Sequence, residues 1–252
     1  MKENEMIFGI HAVMEAIQAG KEIDKIVVKR EFQSELAGDL FKVLKEREIP
    51  LQRVPAERLN RLTRKNHQGV IAFMSAVSYQ HLDDILPFVY EQGRHPFIVL
   101  LDGVTDVRNF GAIARTCESA GVDALVIPSK GSVSVNADAM KTSAGALHIL
   151  PVCKEKSIGQ AIRYLRDSGV KVVAASEKAT DLYTTLHYDT PIALVVGSED
   201  SGISAENLRL CDHIVKIPHF GSIASLNVSV ASSILIYEVI RQRMASRTHP
   251  GE

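Results

Sequence analysis

The stretch Ile217-Pro218-His219-Phe220-Gly221-Ser222-Ile223-Ala224-Ser225-Leu226-Asn227-Val228-Ser229-Val230-Ala231 runs from a strand through a glycine loop into a long helix. Ile214 to Ile217 forms a short apolar strand, which Pro218 and Gly221 end. Ser225 stands where an N-cap precedes Leu226, Val230 and Ile234, apolar residues at the spacing of one helical face. A helix mouth offers backbone N–H groups without intrahelical partners, and these hold anions. Ser225 and Asn227 add neutral side chains that can grip a phosphate or a ribose without a metal. An ordinary capped helix would carry the same residues, so the segment gains meaning only from its neighbours.

Two other segments repeat the strand, loop and helix order. Ile192 to Val196 is an apolar run entering the acidic turn Gly197-Ser198-Glu199-Asp200-Ser201-Gly202. The two glycines have the spacing of a phosphate loop, but Ile203 and Ser204 follow where such a loop needs a lysine. Glu199 and Asp200 would also repel a triphosphate while tolerating a neutral or cationic ligand that bears an amino group. Upstream, Ile98 to Leu101 is a strand that feeds a polar loop and a helix, with Asn109 as a candidate N-cap and Arg115 within reach of the helix start.

In this order the three segments resemble the SpoU (TrmH-like) branch of the SPOUT superfamily, RNA ribose 2′-O-methyltransferases. The first motif of that family is matched by Asn109, Gly111-Ala112 and Arg115, the second by Gly197, Glu199 and Gly202. The third is matched by Ile217-Pro218, Gly221 and Ser225 through Ser229. Phe8-Gly9-Ile10-His11-Ala12-Val13 and His67-Gln68-Gly69-Val70 extend the likeness to the N-terminus and to the RlmB-type rRNA methyltransferase subgroup. Val107 stands where a proline is frequent, His219 replaces a common methionine, and Ala144 to His148 lacks a frequent glutamate. None of these departures removes a candidate catalytic side chain.

The resemblance implies a C-terminal α/β SPOUT domain with a mainly parallel sheet and a trefoil knot, preceded by a small α/β, L30e-like RNA-binding domain. It implies S-adenosylmethionine as cofactor, held bent by the second and third motifs at Gly197, Ser198, Ile217, Pro218 and Leu226. Gly197 would let the backbone approach the cofactor, and Ile217 and Leu226 would flank its adenine. A homodimer through the C-terminal domain is implied as well, with the small residues Ser229, Ser232 and Ser233 facing either the partner or the knot.

For catalysis the resemblance points to Arg115. A guanidinium keeps its proton under nearly all protein conditions. Arg115 therefore either loses it in a special enclosure or orients the ribose and stabilises the developing alkoxide while another acceptor takes the proton. Asn109 would position Arg115 or the ribose, Ser225 and Asn227 would hold the phosphate, and Glu199 would organise the cofactor loop.

Composition agrees with a soluble intracellular protein. The chain has 252 residues and a formal net charge of -1, which is unusual for an RNA binder. Its basic groups cluster instead: Arg53, Arg58, Arg61, Arg64 and Lys65 face only Glu57 between positions 53 and 67. Arg61, Arg64, Lys65, His67 and His11 are the candidate RNA contacts, although a run of this kind is also what a solvated helix face looks like. The three cysteines are odd in number and widely spaced, which argues against a disulfide framework or zinc ribbon. The scattered histidines form no metal motif, so no metal is expected. The polar start and the serine-interrupted run Ser225 to Ile240 predict neither a signal peptide nor a membrane span, and a cytoplasmic protein is expected.

Along the chain, residues 1–77 read as an RNA substrate-binding unit, 78–96 as a linker holding one short helix from Leu82, 97–245 as the methyltransferase domain and 246–252 as a disordered tail. Strands near Ile98, Leu125, Val172, Ala193 and Ile214 alternate with helices near Ala112, Ala137, Ile158, Ala205 and Val228. The favoured substrate is a guanosine of 23S rRNA. A tRNA substrate, or a non-catalytic RNA-binding ribosome assembly factor, are the alternatives; the second predicts loss of Asn109, Arg115 or Asn227, and all three are present.

Overall fold

A computed structural model describes residues 6–222 and 225–248. It divides into two compact units: the chain up to Ser78 with Ser134–Ala137, and Tyr79–Val133 with the chain from Asp138 onward.

In the first unit β1 (Met6–Phe8), α1 (Ile10–Gln18), β2 (Ile23–Lys29), α2 (Ala37–Glu46), β3 (Leu51–Val54), α3 (Ala56–Leu62) and β4 (Val70–Met74) follow one another. The sheet order is β1-β4-β2-β3, antiparallel except for the β2–β3 pair. Alternation along the strands builds a core on each face. Ile26 and Val28 of β2, with Val70 and Ala72 of β4, join Val13 and Ile17 of α1 and Leu40 and Leu44 of α2. The intervening Val27 and Ile71 meet Leu59 of α3. β3 is an edge strand whose first three residues are exposed, so Leu51-Gln52-Arg53 shows no apolar pattern.

The second unit opens with α4 (Leu82–Glu91), the short helix expected from Leu82 within 78–96. Leu82, Leu86 and Val89 are buried on one face, and the first two belong to the core of this unit. Pro87 sits within the helix. Then come β5 (Phe97–Asp102), α5 (Val107–Ser119), β6 (Ala124–Pro128), α6 (Ala137–Thr142), β7 (Val152–Glu155), α7 (Ile158–Asp167), β8 (Lys171–Ala175), β9 (Asp181–Leu182), β10 (Ile192–Gly197), α8 (Ala205–Leu210), β11 (His213–Lys216) and α9 (Val228–Thr248). All pairings of the sheet, ordered β7-β6-β5-β10-β8-β11-β9, are parallel.

Both faces of this sheet are covered, so its central strands are apolar without alternation; Phe97 to Leu101 are all buried. Ile98, Leu100, Ala193 and Val195 pack with α4 and α7. α5 lies along α9, and the backbone comes close at one further place: a Cβ on Gly111 would overlap Thr142 at the end of α6. The strands and helices expected from Ile98 to Val228 are present, with β7 and the two-residue β9 as additions. α9 continues to Thr248, past the start of the expected tail at 246, and residues 249–252 lie outside the described residues. Among the described residues no helix is long and apolar enough to cross a membrane.

Candidate active site

The three motifs meet where β5, β10 and α9 bring their loops together. α5 begins at Val107 because Asp106 caps it, its side chain accepting from the N–H groups of Arg108 and Asn109, both at 2.9 Å. This replaces the expected Asn109 cap and frees the Asn109 amide for tertiary work. Asn109 Nδ2 donates to Glu199 Oε1 at 3.1 Å, and Asn109 Oδ1 accepts from Asn227 Nδ2 at 3.0 Å. Asn227 Nδ2 also donates to Glu199 Oε1, and the backbone N–H of Val228 reaches the same oxygen at 3.4 Å. One carboxylate thus ties the first motif to the third.

Asn227, not Ser225, caps α9. Its Oδ1 accepts from the Ser229 N–H at 3.0 Å and from Ser229 Oγ at 2.5 Å. The physical reason is that the helix starts at Val228, so the residue before it has the geometry to serve the orphan donors. Ser225 is exposed two residues earlier, beside Leu226, which is also exposed. Phe220, to which the sequence analysis gives no role, is 96% exposed in the same loop.

The second motif is a turn closed on itself. Ser198 and Gly202 exchange two backbone hydrogen bonds of 3.2 and 2.9 Å, and Ser198 Oγ meets Ser201 Oγ at 2.8 Å. A Cβ on Gly197 would overlap the backbone of Gly202 and Ile203, so the glycine is required first by the turn itself rather than by a ligand. Asp102, also missed, fixes the far side: its Oδ2 accepts from the Ser204 N–H at 2.8 Å and from Asn207 Nδ2 at 2.9 Å. An acidic residue ending a strand three residues before a Thr-Asp pair was the available signal.

Arg115 is exposed on α5 and forms no hydrogen bond or ion pair among the described residues. Ser232 and Ser233 turn inward: Ser232 is buried and donates to the Val228 carbonyl, while Ser233 Oγ lies 3.1 Å from Thr116 Oγ1 of α5. They pack α9 onto α5 of the same chain.

The loop around Ile217, Pro218 and Leu226 suits a nucleoside cofactor in its donor set. Among the described residues no protein acceptor takes the backbone N–H groups of 219–222, 225 or 226. Half-buried Ile217 and exposed Leu226 supply apolar surface beside these donors. No group of three or more His, Cys, Asp or Glu among the described residues is placed to hold a metal. Burial pushes the Cys117 thiol up from its ordinary value, and pushes Cys153 and Cys211 up to about 12, so none has thiolate character.

The N-terminal candidates lie in the first unit. Arg61 is in the last turn of α3; Arg64 and Lys65 follow it, exposed, and half-buried His67 is in the same loop. The Lys65 ammonium lies 5.4 Å from the centre of the Phe8 ring. Ile10, at the start of α1, donates its N–H to Gln68 Oε1 at 3.3 Å, which brings the two N-terminal motifs together and leaves His11 exposed on the first turn.

Comparison with known proteins agrees with this geometry. The profile of the SpoU rRNA methylase family matches residues 96–237, and that of RNA 2′-O ribose methyltransferase substrate binding matches residues 6–80. A Staphylococcus epidermidis protein assigned to the TrmH family of tRNA/rRNA methyltransferases is 36% identical over 242 residues, covering 96% of this chain and 97% of that one. The AdoMet-bound rRNA methyltransferase of Sinorhizobium meliloti superposes with a TM-score of 0.58 at 26% identity, over 94% of this chain and 86% of that one. The A. aeolicus TrmH/SpoU tRNA modifying enzyme gives 0.57 at 30% identity, over 62% of this chain and 80% of that one. The chain belongs to the SpoU rRNA methylase family.

Proposed function

We propose that this RNA methyltransferase transfers the methyl group of S-adenosylmethionine to the ribose 2′-oxygen of a guanosine in 23S rRNA. The observation that carries the reading is the triangle of Asn109, Glu199 and Asn227, which holds all three motifs in one place. The cofactor supplies an electrophilic sulfonium methyl. The chain supplies the frame: Gly197, Ser198, Ile217, Pro218 and Leu226 line the cofactor side, and Asn109, Glu199 and Asn227 fix the loops against one another.

Arg115, exposed on α5 downstream of Asn109, orients the substrate phosphate and ribose and stabilises the alkoxide as it develops. Ser225 completes the phosphate grip from the exposed edge of the loop. The chain is proposed to thread as the family's trefoil knot, with the clasp between Glu199 and the α9 start at its mouth. It is also proposed to act as a cytoplasmic homodimer through the second unit. Val230 and Tyr237, one α9 stripe at i and i+7, are 48% and 51% exposed and fit such an interface.

rRNA is favoured over tRNA because the first unit is present and matches the substrate-binding profile, whereas the match to the A. aeolicus tRNA enzyme covers only 62% of this chain. The test is methyl transfer from labelled S-adenosylmethionine to rRNA and tRNA pools from cells lacking the protein, with Arg115→Ala alongside and the modified ribose mapped. Label in large-subunit rRNA, lost in the variant, supports the reading. Label confined to tRNA retains the chemistry and rejects the substrate. No transfer to either pool, with fold and cofactor binding intact, favours an assembly factor.

A further inference from the structure

The first unit carries a bowl of about 600 Å³ between the end of β2, α3 and the loop before β4. Its hydrogen-bonding polarity follows from the internal bonds of the loop. The Gly69 N–H donates to His67 Nδ1 at 3.0 Å, so that nitrogen is bare and the ring carries its proton on Nε2. Nε2–H therefore donates to Asn60 Oδ1, 2.9 Å away. The Gln68 N–H donates to Asn66 Oδ1 at 3.3 Å, and the Ile10 N–H to Gln68 Oε1 at 3.3 Å. All three amide oxygens are thus committed inside the protein, which fixes each amide's orientation.

What remains is three amino ends, from Asn60, Asn66 and Gln68, with no protein acceptor among the described residues. Lys29 and Lys65 also line the bowl, the Lys65 ammonium standing over the Phe8 ring, and Glu31 brings a carboxylate to it. The arrangement is built rather than incidental. Gln68 is held at φ 49°, in the left-handed region that non-glycine residues avoid, and a Cβ on Gly69 would press on the Phe32 ring.

We infer that this bowl takes one unpaired nucleotide of the substrate RNA, its phosphate on the lysines and the acceptor edge of its base on the three amides. The inference rests on the RNA reading of the first unit and adds the mode of recognition. A concave, donor-rich site selects an acceptor-rich ligand, and its size lies within the range of about 300–1,000 Å³ common to small-molecule pockets. A double helix presents a convex surface with its base edges paired, whereas single-stranded loops splay bases outward to be read.

The test uses isosteric swaps in the full-length protein. Asn66→Asp and Gln68→Glu keep the oxygen that accepts from the backbone and replace the outward donor by an acceptor. Gln18→Glu, on the exposed end of α1, makes the same charge change away from the bowl. The probe is a labelled RNA hairpin with an unpaired loop, beside a blunt duplex of the same stem, followed by fluorescence anisotropy. The expected result is loop-dependent binding that Asn66→Asp and Gln68→Glu each weaken by about tenfold beyond Gln18→Glu, the size of one lost hydrogen bond. The methylation rate at saturating RNA stays unchanged, so the loss falls on KM. Equal binding of loop and duplex, or variants indistinguishable from Gln18→Glu, would overturn the inference. Hairpin binding needs no methyl transfer, so it stands or falls separately from the proposed activity.

Discussion

Asn109 and Glu199, 90 positions apart, are joined by a hydrogen bond of 3.1 Å, and Asn227 closes the triangle by donating to both. The carboxylate collects these amides and the Val228 N–H, so its charge and acceptor count matter together. Glu199→Ala should lower methyl transfer by about 10- to 100-fold, following the roughly 1.5–3 kcal/mol of a charged hydrogen-bond acceptor, with little change in secondary structure. Steady-state kinetics beside circular dichroism would check both halves.

Arg115 holds nothing in place, since it is exposed and unbonded among the described residues. Arg115→Ala should therefore reduce kcat by at least about 100-fold while cofactor affinity by calorimetry and thermal stability stay near wild type. A large fall in Tm would show that the side chain is structural instead.

Gly111 and Gly197 sit in close backbone approaches of different kinds. Gly111→Ala drives a methyl group into Thr142 and should cost roughly 1–3 kcal/mol, the usual range for overpacking. Gly197→Ala meets the backbone of Gly202 and Ile203, so the Ser198–Gly202 turn must shift. Cofactor affinity should fall for Gly197→Ala by more than its Tm loss explains, and for Gly111→Ala only in step with stability.

The thiols set an alkaline limit. Burial raises Cys153 and Cys211 to about 12 from 9.0, and raises Cys117 as well. In the unfolded chain these groups ionise near 9.0, so the native state binds more protons above that pH and stability falls as pH rises. Denaturant midpoints should be flat with respect to these groups below about pH 8 and decline above about pH 9. Ellman's reagent at pH 8 should label the folded protein slowly and the unfolded protein at once.

Val230→Asp and Tyr237→Asp place charge on the exposed stripe of α9 without touching its buried side. Sedimentation velocity should show the proposed dimer shift toward monomer at micromolar concentration, with the circular dichroism spectrum retained. A dimer that withstands both changes would place the interface elsewhere.

The parallel sheet was legible because strands covered on both faces are plain apolar runs, as in Phe97 to Leu101 and Ile192 to Val196. β3 and β9 were not, since one is a polar edge and the other has two residues. The motif residues could be named from order and spacing, but their mutual bonds could not. Sequence assigns caps to Ser225 and Asn109 by local propensity. The fold gives those tasks to Asn227 and Asp106, because helix starts are set by where α9 and α5 dock. At Gly197 the fold adds a constraint the sequence did not show: the backbone of its own turn.

The place of β10 in the sheet has a consequence for biosynthesis. It pairs with β5 over six positions on one side and with β8 over four on the other, yet it is made after both. Until residues 192–197 leave the ribosome, the growing domain carries two open parallel edges that only its own later segment can fill. Such non-local pairing is slow and exposes aggregation-prone edges. The Asn109–Glu199–Asn227 triangle then forms only when α9 arrives, so the frame of the candidate site is among the last parts of the chain to take shape.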